Sequence, residues 1–292
     1  MLLSIITLNY KKSDLTLACM ASLHEQFSKE FQNNELELII VDNDSGDNSV
    51  EVLRSALKKE QYKNMYLIAN KENSGFGKGC NIGVKEAKGE YILFLNNDTS
   101  VKDKGFLQMI EYMKNNQHAA ILGGQLHNAD GSLQASSGVF YTLFNALLLL
   151  LGLQEVGLLD RNPKKITKVD WVKGSLLLIR KNVFEKLNGF DENIFMYTED
   201  MELCYRAKLA GYDTMFYPEV SVMHVEHGSA NRSFAIIHIY KGLLYFYKKH
   251  RSYFEYLVLK LLLLTKAVVA IIIGSLFGRQ DLVSTYKKAI LF

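Results

Sequence analysis

The side chains able to move a proton or hold a cation lie in short stretches at the predicted ends of secondary-structure elements. Glu199-Asp200 opens a helix predicted over residues 201–210, where Leu203, Ala207 and Ala210 recur at helical spacing and Gly211 supplies a stop. A carboxylate at that entrance can take the proton of an attacking hydroxyl. It is equally suited to a structural role, because unpaired N–H groups and the macrodipole favour negative charge at a helix start. Successive helical residues are ~100° apart, so Glu199 and Asp200 do not share the base's position. Glu199 falls on the same side as Arg206, an expected ion-pair partner. A strand predicted from Asp213 ends in His224, whose imidazole suits a cation that accepts nitrogen, Mn²⁺ better than Mg²⁺, or else a satisfied place in the core. His227, just beyond, reads as a loop residue.

Upstream, LFLNNDT at residues 93–99 carries Asn96, Asn97 and Asp98 to a strand end, with 96 and 98 pointing the same way. Such oxygen ligands suit Mg²⁺ or Mn²⁺ bridging a diphosphate; a helix-capping turn is the structural alternative. In VDNDSGDNS, residues 41–49, Asp42 closes a strand and can accept hydrogen bonds from a ribose or base edge. Asp47 and Ser49 read as turn and cap. In NSGFGKGCNIG, residues 73–83, glycines at 75, 77 and 79 would let backbone N–H groups approach an anion ahead of a helix start. The spacing is neither the Walker A loop nor the dinucleotide fingerprint.

These positions must be held by the alternation around them. Apolar runs at residues 2–8, 36–41, 65–69 and 91–95 alternate with helical patterns at 13–27, 49–59 and 81–87. This βαβα series predicts a mainly parallel sheet covered on both faces, with ligands at the carboxyl ends of its strands. After a helix at 104–115 the pattern turns mixed, with strands expected at 119–126 and 171–179 and a turn at Asp130-Gly131. That reads as an antiparallel extension of the same sheet. With 34 basic against 31 acidic residues in 292, net charge gives no reason to expect nucleic acid. Three scattered cysteines fit a reducing compartment, and MLLSIITLNYKK reads as a first strand rather than a signal peptide.

The last sixty residues differ in kind. Residues 234–247 are aromatic and helical, and 257–277 read LVLKLLLLTKAVVAIIIGSLF. Lys260 and Lys266 leave only 267–277 free of charge, short of the ~20 apolar residues a single span needs. The expectation is a helix in the membrane interface, its lysines snorkelling and Lys248, Lys249, Arg251 and Arg279 drawn to anionic lipid. A buried core helix or a homodimer face is the alternative.

In their order, SIITLNY, VDNDSGD, NSGFGKGCNIG, FLNNDT, WVKGSLLLIR, GFDENIFMYTEDMELCYRAKLAGY and PEVSVMHVEHGS resemble the family-2 glycosyltransferases of GT-A fold, over residues 3–229. Within them the likeness is to the bacterial rhamnosyltransferase-like branch. It implies an α/β fold of GT-A type, Rossmann-like, its mainly parallel sheet bearing an antiparallel extension and followed by C-terminal apolar helices. Residues 1–232 would be the transferase domain, with 1–100 the nucleotide-sugar half and 101–232 the acceptor and catalytic half. Residues 233–292 would be a helical membrane-associating region.

The resemblance also implies an inverting, metal-dependent hexosyltransferase acting in cell-surface polysaccharide synthesis. It would move a sugar, rhamnose above all, from dTDP-rhamnose or a UDP-sugar to a polyprenyl-linked or other glycan acceptor. It would work peripherally at the cytoplasmic face of a bacterial inner membrane. Asp42, Asn73, Gly75, Asn96, Asn97 and Asp98 then serve the nucleotide sugar, the last three as the DxD element. Asp200 matches the catalytic base, and His224 joins Asp98 on Mg²⁺ or Mn²⁺. Two residues depart from the pattern. Asn96 replaces the first Asp of DxD and removes a negative charge, and Lys173 in WVKG stands where a small residue is commoner. Trp171, Lys173 and Glu199 are left between acceptor contacts and other roles. Inversion needs one base, unlike the two carboxylates of glycosidases. The competing expectation is a catalytically silent membrane-associated module that binds nucleotide sugar; the presence of Asp42, Asp98 and Asp200 together argues against it.

Overall fold

The computed structural model describes residues 1–58, 62–151, 160–225 and 232–292. Strands β1 (Leu3–Asn9), β2 (Leu36–Asp42), β3 (Met65–Ala69) and β4 (Tyr91–Leu95) alternate with helices α1 (Ser13–Gln32), α2 (Ser49–Leu57) and α3 (Gly75–Glu86). They form the parallel half of the sheet. β2 and β4 are buried along their whole length, as strands covered on both faces must be. After β5 (Thr99–Ser100) and α4 (Gly105–Asn115) come β6 (Ala119–His127), β7 (Leu133–Gln134) and β8 (Ser137–Gly138). Next are α5 (Leu143–Leu150), β9 (Asp160–Arg161), β10 (Thr167–Val169), β11 (Trp171–Val172) and β12 (Leu176–Arg180). Then α6 (Lys181–Lys186) and α7 (Glu199–Leu209) lead to β13 (Asp213–His224). The main sheet runs β10-β13-β6-β12-β4-β1-β2-β3, with β12 antiparallel to both β4 and β6, which is the expected extension.

Three predicted boundaries move, the first for a packing reason. The glycine-rich stretch is not a loop before a helix at 81–87: it is the opening of α3 itself. A Cβ at Gly77 would strike Phe190, one at Gly79 would crowd Leu8, and one at Gly83 would strike Ile6, so these glycines let the helix press onto β1 and the 190 loop. The run 171–179 is two strands, β11 and β12, parted by a turn at 173–175. α1 continues past 27 to Gln32 through a non-helical Phe27. His227, and the end of the helix expected to reach residue 59, lie outside the described residues.

Helices α8 (Arg232–His250), α9 (Tyr253–Leu276) and α10 (Gln280–Ala289) close the chain. Leu243, Phe246, Tyr247, Leu259, Leu263, Ala267 and Tyr286 join Ile6, Ile39 and Phe94 in one apolar cluster, so these helices continue the core on one face of the sheet. α9 starts at a capping box between Ser252 and Glu255 and is long and apolar enough to cross a membrane, judged by length and composition only. It buries Leu259, Leu263, Ala267 and Gly274 as a stripe and exposes Leu261, Val268, Ile272 and Leu276 on its other side.

The basic residues do not all flank this apolar face as expected. Lys266 is half-buried beside Arg232, and burial, with that neighbour, depresses its pKa. Lys249 bonds Asp191 at 2.6 Å and Glu202 at 2.8 Å, and Arg251 lies over the rings of Tyr205 and Phe246. Their charges and stems are engaged with the protein, while Lys248, Lys260 and Arg279 remain exposed.

Candidate active site

A cavity of about 550 Å³ opens where β1, β2 and β4 end, as the parallel topology requires of a ligand site. Asn73, Gly75, Asn96, Asn97, Asp98, Trp171, Lys173, Glu199, Asp200 and His224 all line it. Asp42 does not. It is 1% exposed, and its carboxylate accepts Asn9 Nδ2 at 2.6 Å, Ser45 Oγ at 2.6 Å and Ser45 N at 3.1 Å. The chain Asn97 Nδ2 to Thr16 Oγ1 (2.9 Å), then Thr16 Oγ1 to Asn9 Oδ1 (2.7 Å), links Asp42 to the cavity wall from beneath. Its neighbour Asn43 is the one that lines the cavity. Asn43 donates to Asn73 Oδ1 and Gly75 O, both at 3.0 Å, and accepts from Asn70 and Ser74, tying β2 to the start of α3. The sequence marked the Asp rather than the Asn because both sit at the strand end, and only their register decides which side chain faces the cleft.

Gly75 lines the cavity and also has a packing role. Its φ is +78°, its N–H meets Asn73 Oδ1, the N–H of Phe76 meets Phe195 O at 2.8 Å, and a Cβ on Gly75 would collide with that carbonyl. Gly75 thereby seats the loop that leads to Glu199.

At the floor, His224 Nδ1 lies 2.8 Å from Gln134 Oε1. Gln134 Nε2 is committed to Asn128 Oδ1 and the His224 carbonyl, so its oxygen faces the ring and Nδ1 carries the proton. Asn96 Nδ2, which carries hydrogens only, points at Nε2 from 3.1 Å, so it is this contact that makes Nε2 the acceptor. Asp98 Oδ1 sits 3.2 Å from the same Nε2, yet it is buried without a hydrogen-bond partner. A carboxylate oxygen and an imidazole lone pair this close, with no proton between them, repel unless a cation joins them. The pair therefore fits a divalent metal, and nitrogen ligation favours Mn²⁺ over Mg²⁺. Among the described residues no group of three His, Cys, Asp or Glu could hold a metal, so further ligands would come from a bound diphosphate and water.

Across the cavity, Asp200 Oδ2 accepts Gly174 N at 3.0 Å and Oδ1 accepts Met201 N at 2.7 Å. Burial raises its pKa above the ordinary aspartate value, while those N–H groups and Lys173 oppose the rise. Glu199 is 6% exposed and its Oε2 is buried without a partner. Burial, and then the charge of Asp200, push its carboxyl well above the usual range, so the pair keeps its negative charge on Asp200. The predicted pairing with Arg206 is not formed. Residues seven apart are ~10 Å distant along a helix, and Arg206 pairs instead with Glu202 one turn away, at 2.7 Å. Tyr197 and Thr198, immediately before the acids, have φ of +63° and +80°. For a β-branched residue this is strained, and no pattern in the sequence announced it. Trp171 donates from Nε1 to Val139 O at 3.0 Å and offers its ring to the cavity.

A doubly covered parallel sheet with an antiparallel insertion, and acids and a histidine at its carboxyl edge, defines a GT-A-type transferase. The chain belongs to glycosyl transferase family 2, whose family model matches residues 4–187. It is 32% identical over 169 residues to "Rhamnosyltransferase WbbL" of Escherichia coli (strain K12), covering 55% of this chain and 64% of that one. It is 27% identical over 215 residues to "Low-salt glycan biosynthesis hexosyltransferase Agl10" of Haloferax volcanii, covering 70% and 61%. The chain thus spans less than two thirds of either relative. It is 24% identical to "N-acetylglucosaminyl-diphospho-decaprenol L-rhamnosyltransferase" of Mycobacterium tuberculosis over 68% of this chain and 69% of the relative. Among solved structures, a mannosyltransferase from Pyrobaculum calidifontis in complex with GDP-Man and Mn²⁺ superposes with a TM-score of 0.60 at 14% identity, over 99% of this chain and 80% of that one. That likeness establishes the fold.

Proposed function

We propose that the protein transfers rhamnose, with inversion, from a nucleoside-diphosphate sugar to a polyprenyl-linked or growing glycan acceptor in cell-surface polysaccharide synthesis. The donor is dTDP-rhamnose or a UDP-sugar. The protein works peripherally at the cytoplasmic face of a bacterial inner membrane, with the exposed side of α9 towards lipid. The observation that carries this reading is the opposition, across one cavity, of the Asp200 carboxylate to the Asp98–His224 pair. Rhamnosyltransferase relatives, one named for a decaprenol-linked acceptor, support the choice of sugar and acceptor.

In this mechanism Asn43 and Asn73 border the nucleoside pocket, and Asp42 braces its wall through Asn9, Thr16 and Asn97. Asp98 and His224 would hold the divalent cation, which would supply positive charge to the departing diphosphate. Asp200 takes the proton of the acceptor hydroxyl as that oxygen attacks the anomeric carbon from the face opposite the diphosphate. The N–H groups of Gly174 and Met201 hold the carboxylate in place, and its raised pKa suits a base working near neutrality. Glu199, neutral beneath it, avoids placing a second charge at the same point. Trp171 offers the acceptor sugar a flat apolar face.

The test is a thermal-shift panel of nucleotide sugars with and without Mn²⁺, followed by turnover of Asp200→Asn. A ligand that binds only the folded state raises its melting temperature. dTDP-rhamnose or a UDP-sugar should do so more strongly with Mn²⁺. Asp200→Asn should retain that shift while losing about 10²- to 10⁴-fold in transfer rate. No shift with any nucleotide sugar, or near-normal turnover by Asp200→Asn, would overturn the proposal.

A further inference from the structure

Lys173 sits in the turn between β11 and β12, the segment that joins the two sides of the cavity. Its neighbour Gly174 donates to Asp200, while Ser175 Oγ accepts from Asn96 Nδ2 at 3.0 Å and Ser175 O accepts from Asn96 N at 3.2 Å. The turn therefore spans from the base to the cation end of the site. The backbone of Lys173 is fixed in both directions, donating to Ser136 O at 3.1 Å and accepting Leu176 N at 3.2 Å, so the turn does not depend on its side chain. That side chain lines the cavity, half-buried, and among the described residues its ammonium has no ion pair or hydrogen bond. A half-buried cation facing a cleft, answered only through space by the charge of Asp200, is open to an anion from outside.

The identity of that anion follows from the charges around it. The cavity's other ionisable side chains include Lys12, Asp98, His224, and the Glu199–Asp200 pair with its one charge. Asn96 contributes none. A dication held by one carboxylate and a neutral imidazole leaves a single positive charge against the two of a sugar-bound diphosphate. The turn at 173, bonded to Asp200 on one side and to Asn96 on the other, carries a further cation to the side of the cavity where that deficit lies. Resting on the donor reading above, we propose that Lys173 binds the diphosphate of the donor, supplying charge neutralisation that a metal held by one carboxylate leaves incomplete. The ammonium thereby stabilises the leaving group directly, and donor binding persists in part without metal.

The experiment measures binding of dTDP and UDP, and of the corresponding monophosphates, by calorimetry to the full chain in EDTA and in Mn²⁺. Wild type, Lys173→Met and Lys173→Arg are compared. In EDTA, Lys173→Met should weaken diphosphate binding about tenfold or more, consistent with loss of a charge-assisted contact. Monophosphate binding should change far less, and Lys173→Arg should bind close to wild type. The pH–rate profile gives a second readout that a purely structural role would not move. Removing this cation raises the pKa of Asp200, whose other titratable neighbours are Glu199 and Cys204 on the same helix, so the acid limb of Lys173→Met should shift to higher pH. Equal diphosphate affinity for wild type and Lys173→Met overturns the assignment while leaving the donor reading intact. A wild-type chain that binds no nucleoside diphosphate at all overturns both.

Discussion

Gly242 of α8 lies directly against Thr198, the left-handed residue that introduces the Glu199–Asp200 pair. A Cβ at position 242 would collide with Thr198 Oγ1 and crowd the Tyr197 carbonyl. The C-terminal helices thus brace a strained turn that costs on the order of 1–3 kcal/mol per residue and persists only where its surroundings enforce it. Gly242→Ala should lower transfer at least tenfold through displacement of Asp200, with donor affinity changed far less. Steady-state kinetics beside dTDP binding check this; unchanged turnover would show that the turn holds its shape without α8.

Glu199 gives a stability prediction with a definite pH dependence. Its pKa is raised in the folded state by burial and by Asp200. Above the unfolded glutamate value, about 4.3, the folded state must retain a proton that the unfolded chain has shed, so stability falls as pH rises towards the folded pKa. Glu199→Gln removes this penalty. The variant should match wild type in melting temperature near pH 4 and exceed it near pH 7. A melting temperature below wild type across that range would mean the carboxylate is charged and paired in the folded protein.

Glu202 behaves in the opposite sense. Burial alone would raise its pKa, but His250, Arg206 and Lys249 pull it down to about 2. The stability it contributes is present above the unfolded value and lost as pH falls from about 4.3 towards 2. Across roughly two pH units that is about 3 kcal/mol. Removing one partner of a buried ion pair costs about 3–5 kcal/mol, so Glu202→Gln should melt well below wild type at pH 7 and show a flatter acid limb. Denaturant unfolding at pH 7, 4 and 3 measures both effects.

The outer side of α9 presents Leu261, Ile272 and Leu276, at 63%, 54% and 76% exposure, with no charge among them. Their burial in the acyl boundary of a bilayer is worth about 25 cal/mol per Å². Leu261→Glu with Ile272→Glu should abolish flotation with anionic liposomes and leave the melting temperature within about 2 °C of wild type, since surface changes seldom exceed ±0.5 kcal/mol. If the double variant instead turns a dimer into a monomer and liposomes never bound the wild type, the face is an interface between copies. Lys249 and Arg251 are poor probes here because both are engaged with the protein.

What the sequence determined by itself was the series of strands and helices, since parallel strands buried on both faces are near-continuous apolar runs, and βαβ order dictates where their ends converge. It therefore located Asn96–Asp98, Glu199–Asp200 and His224, residues that close or open elements. Tertiary structure decided which side chains those ends turn inward. Asp42 is taken up by Asn9 and Ser45, and Asn43 faces the cleft in its place. Arg206 found Glu202 because an ion pair needs one helical turn rather than two. The glycines of α3 answer to Leu8, Phe190 and Phe195, which are remote in sequence, so no local pattern could separate packing from anion binding. The left-handed backbone at Tyr197 and Thr198 is likewise met from across the fold, by Gly242 of α8, whose missing Cβ leaves the room it needs.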